Sequence, residues 1–454
     1  MAHHFSVATK IYFPCTQMTL FSSLSTRTDY ATAAEAMALL KVQPQTLYAY
    51  VSRGWIRSVT QKGQKEKLYS REDLARVSSR SLARSGHGPV AASAMNWGEP
   101  IFSTSITEIT DQGPHYRGYP AIELVQRGLT FEQVAELLWA GKLMPATTQS
   151  ITWTVGKSAP ELTELLHTLA ALDAGNNLLE VFSMVVLMLG MRRGTSAQHM
   201  DTTNTLIVAR EIIQTLVGCF GFLSPERTYS PLRKGQNLVD GLVHSLKMED
   251  SAANRDALRC ILILLADHEL PPGTLSARVV ASSGGTLYNC IASALCATAG
   301  VDVGRMYGRV EDFLGHPKTK PMLEKRANQL HADGQKVPGF DHPLYPKGDP
   351  RAELLLELAR ARSSGNRELQ IIFGFIDDMR THKGLLARQE LALVVLCRAL
   401  GLPRQAAAAL FAVGRSTGWV AHVLEQRSGG TLLRPRARFV RESRGLQNEK
   451  HQDS

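Results

Sequence analysis

From Ala159 to Leu330 the apolar residues recur at helical spacing and almost never alternate, which limits the fold more than any other feature. Near its middle, Leu258 to Leu265 is a nearly continuous apolar run, suited to the centre of a buried helix. Upstream, Phe131, Val134, Leu137, Leu138 and Leu143 repeat along one face and read as packing residues. Periodicity alone therefore predicts an all-α, multi-helix body. Ile101 to Thr110 is the exception, alternating like a strand before the turn signal Asp111-Gln112-Gly113-Pro114. At 454 residues the chain has room for about two or three domains and a large core.

The composition, 44% hydrophobic and 20% charged, is that of an ordinary globular protein. Its six cysteines show no metal-type spacing and sit mostly in apolar helical surroundings, so they read as buried thiols in a reducing compartment. No apolar run approaches the ~20 residues of a membrane span, and Val181 to Met191 comes nearest. A cytoplasmic location, with no membrane partner and no metal, is the expectation. Residues 1–28 lack the pattern of a secretory signal and read as a poorly ordered tail.

The net charge of +10 is uneven: Arg27 to Arg84 holds eleven Lys/Arg against five Asp/Glu. That excess points to an anionic partner for this segment. Thr32 with Glu35 forms a capping box for a helix reaching Leu40, and Pro44 separates it from a second helix, Gln45 to Ser52. Ala36, Leu39, Leu40, Val42, Leu47, Val51 and Ile56 would close a small core. Lys62 to Lys67 is a basic turn, and Ser70 with Asp73 caps a further helix. The block resembles a mercury-resistance-regulator (MerR) type winged helix-turn-helix in Gln45-Thr46-Leu47-Tyr48, Arg53-Gly54-Trp55-Ile56 and Tyr69-Ser70-Arg71-Glu72-Asp73-Leu74. The resemblance implies DNA contacts from Gln45, Thr46, Tyr48, Arg53, Arg57 and Lys67. The alternative reading is that the same fold binds another protein or the rest of this chain. The expected organisation is a tail at 1–28, this module at 29–80, a Ser/Arg/Gly-rich linker at 81–95, a helical body at 96–441 and a tail at 442–454.

Within the body, Pro338-Gly339-Phe340-Asp341-His342-Pro343-Leu344-Tyr345-Pro346-Lys347-Gly348-Asp349-Pro350-Arg351-Ala352 reads as an ordered loop. It gathers one imidazole, able to move a proton near neutral pH, and one guanidinium, able to grip a carboxylate with two bonds. Taken alone, it also fits a surface turn shaped by its prolines. The Gly-Phe-x-His and Asp-Pro-Arg-Ala elements resemble the signature of the citrate synthase family. The likeness runs from about Asn96 to Arg436 and includes Tyr116-Arg117-Gly118-Tyr119, Asp267-His268-Glu269, Arg415-Ser416-Thr417-Gly418-Trp419 and Arg434-Pro435-Arg436.

The resemblance implies a citrate-synthase-like body of a large and a small helical domain. It also implies a homodimer that condenses acetyl-CoA, or a short acyl-CoA, with oxaloacetate to give citrate and CoA. No cofactor is implied beyond acetyl-CoA as substrate. His268, Arg351 and Arg415 would bind oxaloacetate, with Arg434 reaching in from a neighbouring subunit, and His342 would polarise the keto group. Two positions depart from the family. Counting back from Arg398-Ala399-Leu400-Gly401 puts Glu390 where the catalytic Asp stands. Met306-Tyr307-Gly308-Arg309-Val310 replaces a Leu-His-Gly-Gly-Ala segment, so Tyr307 stands where a His would meet the thioester oxygen. A second reading is a catalytically weakened, ligand-sensing DNA-binding regulator.

Overall fold

The computed structural model describes residues 30–40, 42–52, 56–60, 67–71, 73–74, 77, 103–144, 151–155, 178–193, 201–300 and 303–434. The chain divides into two compact units, 103–435 on one side and 1–102 with 436–454 on the other. The expected linker at 81–95, both tails, the basic turn at 62–66 and Arg53-Gly54-Trp55 lie outside the described residues.

In the N-terminal unit, helices α1 (Ala33–Leu40) and α2 (Pro44–Ser52) accompany strands β1 (Tyr30–Ala31), β2 (Ser58–Thr60) and β3 (Lys67–Ser70). The sheet order is β1-β3-β2, antiparallel throughout, with Ala31 opposite Tyr69 and Val59 opposite Leu68. The capping box is present: Thr32 Oγ1 accepts from Glu35 N at 3.3 Å, and Glu35 Oε2 accepts from Thr32 N at 3.0 Å. Ala36 and Leu40, one turn apart, face Leu47, Ile56, Tyr69, Leu74 and Val77. Leu39 was expected in that core, but it lies off the Ala36–Leu40 stripe and is 51% exposed.

The body is mostly helical, but not all-α. Strands β4 (Thr107–Thr110), β5 (Gly113–Tyr116) and β6 (Tyr119–Pro120) form a three-stranded antiparallel sheet. Gly113 and Pro114, expected in a turn, instead pair with Thr110 and Ile109, leaving Asp111 and Gln112 as the turn. Arg117 and Gly118, with φ of 52° and 88°, turn the chain from β5 into β6. Positive φ at both central positions matches the natural strand twist in so short a turn.

Helix Phe131–Ala140 starts on a Thr130–Gln133 capping box and stops at left-handed Gly141. At the centre, helix Ala406–Gly429 is buried along almost its whole length and packs against Phe131–Ala140, Thr202–Gly218, Ala252–Leu264, Pro272–Ser282 and Leu287–Thr298. The stretch Thr202–Leu223, with a mean hydropathy of 1.7, is long and apolar enough to cross a membrane. Sequence reading passed over it. Here 78% of its apolar window is buried inside the body, so core packing accounts for its composition.

Candidate active site

Helix Ala252–Leu264 ends at Leu265, and the chain turns through Ala266 and Asp267 to deliver His268. The Pro338–Arg351 loop brings its own groups to the same place. His268 Nε2 lies 2.8 Å from the Tyr345 hydroxyl, and the His268 and His342 ring centres are 5.6 Å apart. His342 and Tyr345 stand 4.9 Å apart, ring to ring.

The loop is held by its backbone. Tyr345 N donates to His342 O at 3.0 Å and Gly348 N to Tyr345 O at 3.0 Å. Gly339 at φ 85° is needed at its start, because a Cβ there would sit 2.7 Å from Leu391 Cβ. Leu344 N donates to His342 Nδ1 at 3.1 Å, so a neutral His342 carries its proton on Nε2. Burial, reinforced by Arg351 and Arg388, lowers the His342 imidazole to about 4. Burial also pushes His268 well below the usual imidazole value, with Arg351, Arg415 and His342 adding to it. Both rings are therefore neutral at pH 7, available as hydrogen-bond donors rather than cations.

Asp349 caps helix Pro350–Arg360, accepting from Arg351 N at 3.0 Å. It also takes the Arg351 fork, Nε to Oδ1 at 3.0 Å and Nη2 to Oδ2 at 2.8 Å. Burial pushes the Asp349 carboxyl up, but the Arg351 charge outweighs it and holds the group below the ordinary range. Arg415 arrives from the long central helix. Its Nε donates to Leu265 O at 3.0 Å and its guanidinium lies 4.8 Å from the Phe411 ring centre. These bonds fix each fork while leaving Arg351 Nη1 and both terminal nitrogens of Arg415 uncommitted among the described residues.

Behind His268, the fully buried Asp267 carboxylate meets His422 Nε2 at 3.2 Å, and Arg278 Nε donates to His422 Nδ1 at 3.0 Å. Gly418 makes this contact possible, since a Cβ there would lie 2.2 Å from Asp267 Oδ1. Tyr307 is buried, its hydroxyl 3.0 Å from Gln389 Nε2 and 3.2 Å from Gln389 Oε1. Burial raises its pKa, and the nearby Glu390 carboxylate raises it further. Glu390 is itself gripped by Arg388, Nε to Oε2 at 3.1 Å and Nη2 to Oε1 at 2.8 Å.

His268, His342, Glu390, Tyr307, Arg351 and Arg415 thus converge from five separate stretches of chain. Arg434 does not join them: it is exposed near the end of the described body. Sequence reading gave no role to Asp267, Tyr345, Asp349, Arg388 or Gln389. Asp349 was within reach of that reading, standing two residues before an arginine at a helix start. The DNA-contact candidates lie in the other unit. Gln45 and Tyr48 are exposed on α2, Thr46 is half-buried and Lys67 is exposed. Arg57 is exposed and its fork pairs with the buried Asp73, Nε to Oδ2 at 2.8 Å and Nη2 to Oδ1 at 3.1 Å. A phosphate would have to compete with that carboxylate.

Residues 95–436 match the family model described as the C-terminal domain of citrate synthase. The chain belongs to the citrate synthase family. It is 26% identical over 363 residues to "Citrate synthase 2" of Bacillus subtilis, covering 74% of this chain and 93% of that one. It is also 26% identical over 353 residues to 2-methylcitrate synthase of Mycobacterium tuberculosis, covering 74% and 88%. Among solved structures, citrate synthase from Thermotoga maritima superposes with a TM-score of 0.58 at 25% identity, over 76% of this chain and 95% of that one. A ternary complex of Thermoplasma acidophilum citrate synthase with carboxymethyl coenzyme A and oxaloacetate gives 0.63 at 23% identity, covering 76% and 94%, and supports the fold.

Proposed function

We propose that this citrate-synthase-type enzyme condenses a short acyl-CoA with oxaloacetate, releasing CoA and a tricarboxylate. The observation that carries the reading is two neutral imidazoles with ring centres 5.6 Å apart, His268 beside the fixed guanidiniums of Arg351 and Arg415 and His342 beside Arg351 and the Glu390 carboxylate. In this account Arg351, Arg415 and His268 hold the keto diacid. Glu390 takes a proton from the carbon next to the thioester, and Tyr307 stands beside the thioester oxygen that gains charge. The new carbon–carbon bond forms at the keto carbon while His342 Nε2–H donates to the keto oxygen. Water then cleaves the thioester, giving the free acid and the CoA thiol. No cofactor enters beyond the acyl-CoA substrate.

A cleft beside Tyr307 and Gly308 is lined by Arg305, Arg309 and Arg404 and equally by Glu180, Glu311 and Asp312, with Arg404 paired to Glu311 and Asp312, so its lining carries no net positive charge. Helix Leu178–Arg193 exposes Met184, Leu187 and Met191 along one face, which supports the homodimer, while a role for the exposed Arg434 across it rests on the family resemblance alone. In the N-terminal unit, the two-helix, three-stranded arrangement supports a winged helix-turn-helix module. Exposed Gln45 and Tyr48 on α2 would meet the bases.

Product analysis by mass spectrometry tests the reading. Purified chain with oxaloacetate should form citrate from acetyl-CoA or 2-methylcitrate from propionyl-CoA, and the ratio reports the acyl preference. Tight substrate binding without either product would overturn the enzyme reading in favour of a ligand sensor.

A further inference from the structure

Residues 385–390 run alongside the His342 loop. Phe340 and Ala387 form an antiparallel bridge, Asp341 N donates to Leu386 O at 2.9 Å, and Arg388 N donates to Gly339 O at 2.8 Å. The backbone of this strip is thus tied to the loop that carries His342. Two of its last three residues hold another side chain. Arg388, the N-cap of helix Gln389–Ala399, grips both oxygens of Glu390, while Gln389 holds the Tyr307 hydroxyl. Arg388 is 20% exposed and Glu390 9% exposed in their side chains, so water screens the pair only weakly.

A glutamate base has one more methylene than an aspartate and one more rotatable bond, so its carboxylate needs another constraint to reach a defined place. A displacement of about 1 Å costs on the order of a hundredfold in rate. A guanidinium fork fixes the plane of a carboxylate as well as its position, and it occupies only two of the four lone-pair sites. We propose that Arg388 is the positioning residue for Glu390, pinning the longer carboxylate against the His342 loop so that its remaining lone pairs face the acyl carbon. The inference rests on the reading of Glu390 as the base.

The experiment measures kcat and KM for the wild type, Arg388→Gln, Arg388→Lys, Glu390→Gln and the Arg388→Gln/Glu390→Gln double variant. Arg388→Gln should lower kcat by about 10- to 100-fold while KM for both substrates stays within about threefold. Lysine, with no fork, should fail to restore the rate. In the Glu390→Gln background the Arg388 change should have almost no further effect. Equal losses in both backgrounds, or a raised KM at constant kcat, would overturn the role, the second outcome making Arg388 a substrate contact. Urea unfolding of the same variants reads the pair without turnover. The cycle should be non-additive by about tenfold in the unfolding constant, and additivity would overturn the proposal whatever the activity. Turnover abolished by Glu390→Gln but indifferent to Arg388→Gln would sink Arg388 alone. A wild-type chain without turnover would sink the base assignment and this role with it.

Discussion

Arg351 folds its guanidinium back onto Asp349, two residues earlier, and both side chains are almost completely removed from solvent. The pair orients a cation that would otherwise sweep the cleft, and removing one partner strands a buried charge. Asp349→Ala is therefore expected to cost about 3–5 kcal/mol of stability, the range for breaking a buried ion pair. Chemical denaturation checks it, and a loss under about 1 kcal/mol would mean that Arg351 finds a replacement partner.

The depressed imidazole of His342 ties stability to acidity. In the unfolded chain the ring binds a proton near pH 6.5, whereas in the folded chain it does so at about 4. Between those values the unfolded state carries more protons, so stability is complete above about 6.5 and drains as pH falls toward 4. The slope is at most about 1.4 kcal/mol per pH unit for this ring. Urea midpoints measured from pH 7.5 to 4.5 should fall less steeply in His342→Gln than in the wild type. Parallel curves would show that burial does not hold the ring neutral.

Gly418 sets the distance between the central helix and the segment that delivers His268. A methyl there would lie 2.2 Å from Asp267 Oδ1 and 2.6 Å from Ala266 O. Gly418→Ala should destabilise by about 3 kcal/mol, toward the upper end for an overpacked core. The soluble variant should also show a raised KM for oxaloacetate. A Tm and KM matching the wild type would mean that the segment moves aside without consequence.

The N-terminal unit makes a separate prediction. If α2 is a recognition helix, the whole chain should retard duplex DNA with an affinity that falls steeply with salt. Gln45→Ala and Tyr48→Ala should then lower specific binding by about tenfold each, within the range for a base contact. Absence of retardation even at low salt would leave the unit a protein-contact or structural module.

Legibility in the sequence tracks the range of each interaction. The His342 loop was legible because its glycine, prolines, His342 and Arg351 lie within fifteen consecutive residues, and helical periodicity predicted the body around it. The bond between Tyr307 and Gln389 spans 82 residues, and that between His422 and Asp267 spans 155. No local spacing announces such partners. Arg388 and Glu390 are only two residues apart, yet the pairing needs the extended backbone at the helix N-cap, which residue types do not reveal. Thr107–Tyr116 was misread in part because Gly113 and Pro114, ordinary turn residues, are carried here in a strand by a two-residue turn just before them. The bond from Arg57 to Asp73, sixteen residues away, was likewise not announced by the local sequence.

Condensation at the His342 cleft is tested by release of the CoA thiol from purified wild-type chain and His342→Ala, with acetyl-CoA or propionyl-CoA, in the presence and absence of oxaloacetate. Oxaloacetate-dependent release is expected in the wild type, lowered at least about a hundredfold in His342→Ala, within the range for a missing proton donor. Release that ignores oxaloacetate, or that survives intact in His342→Ala, would contradict the assignment of this cleft.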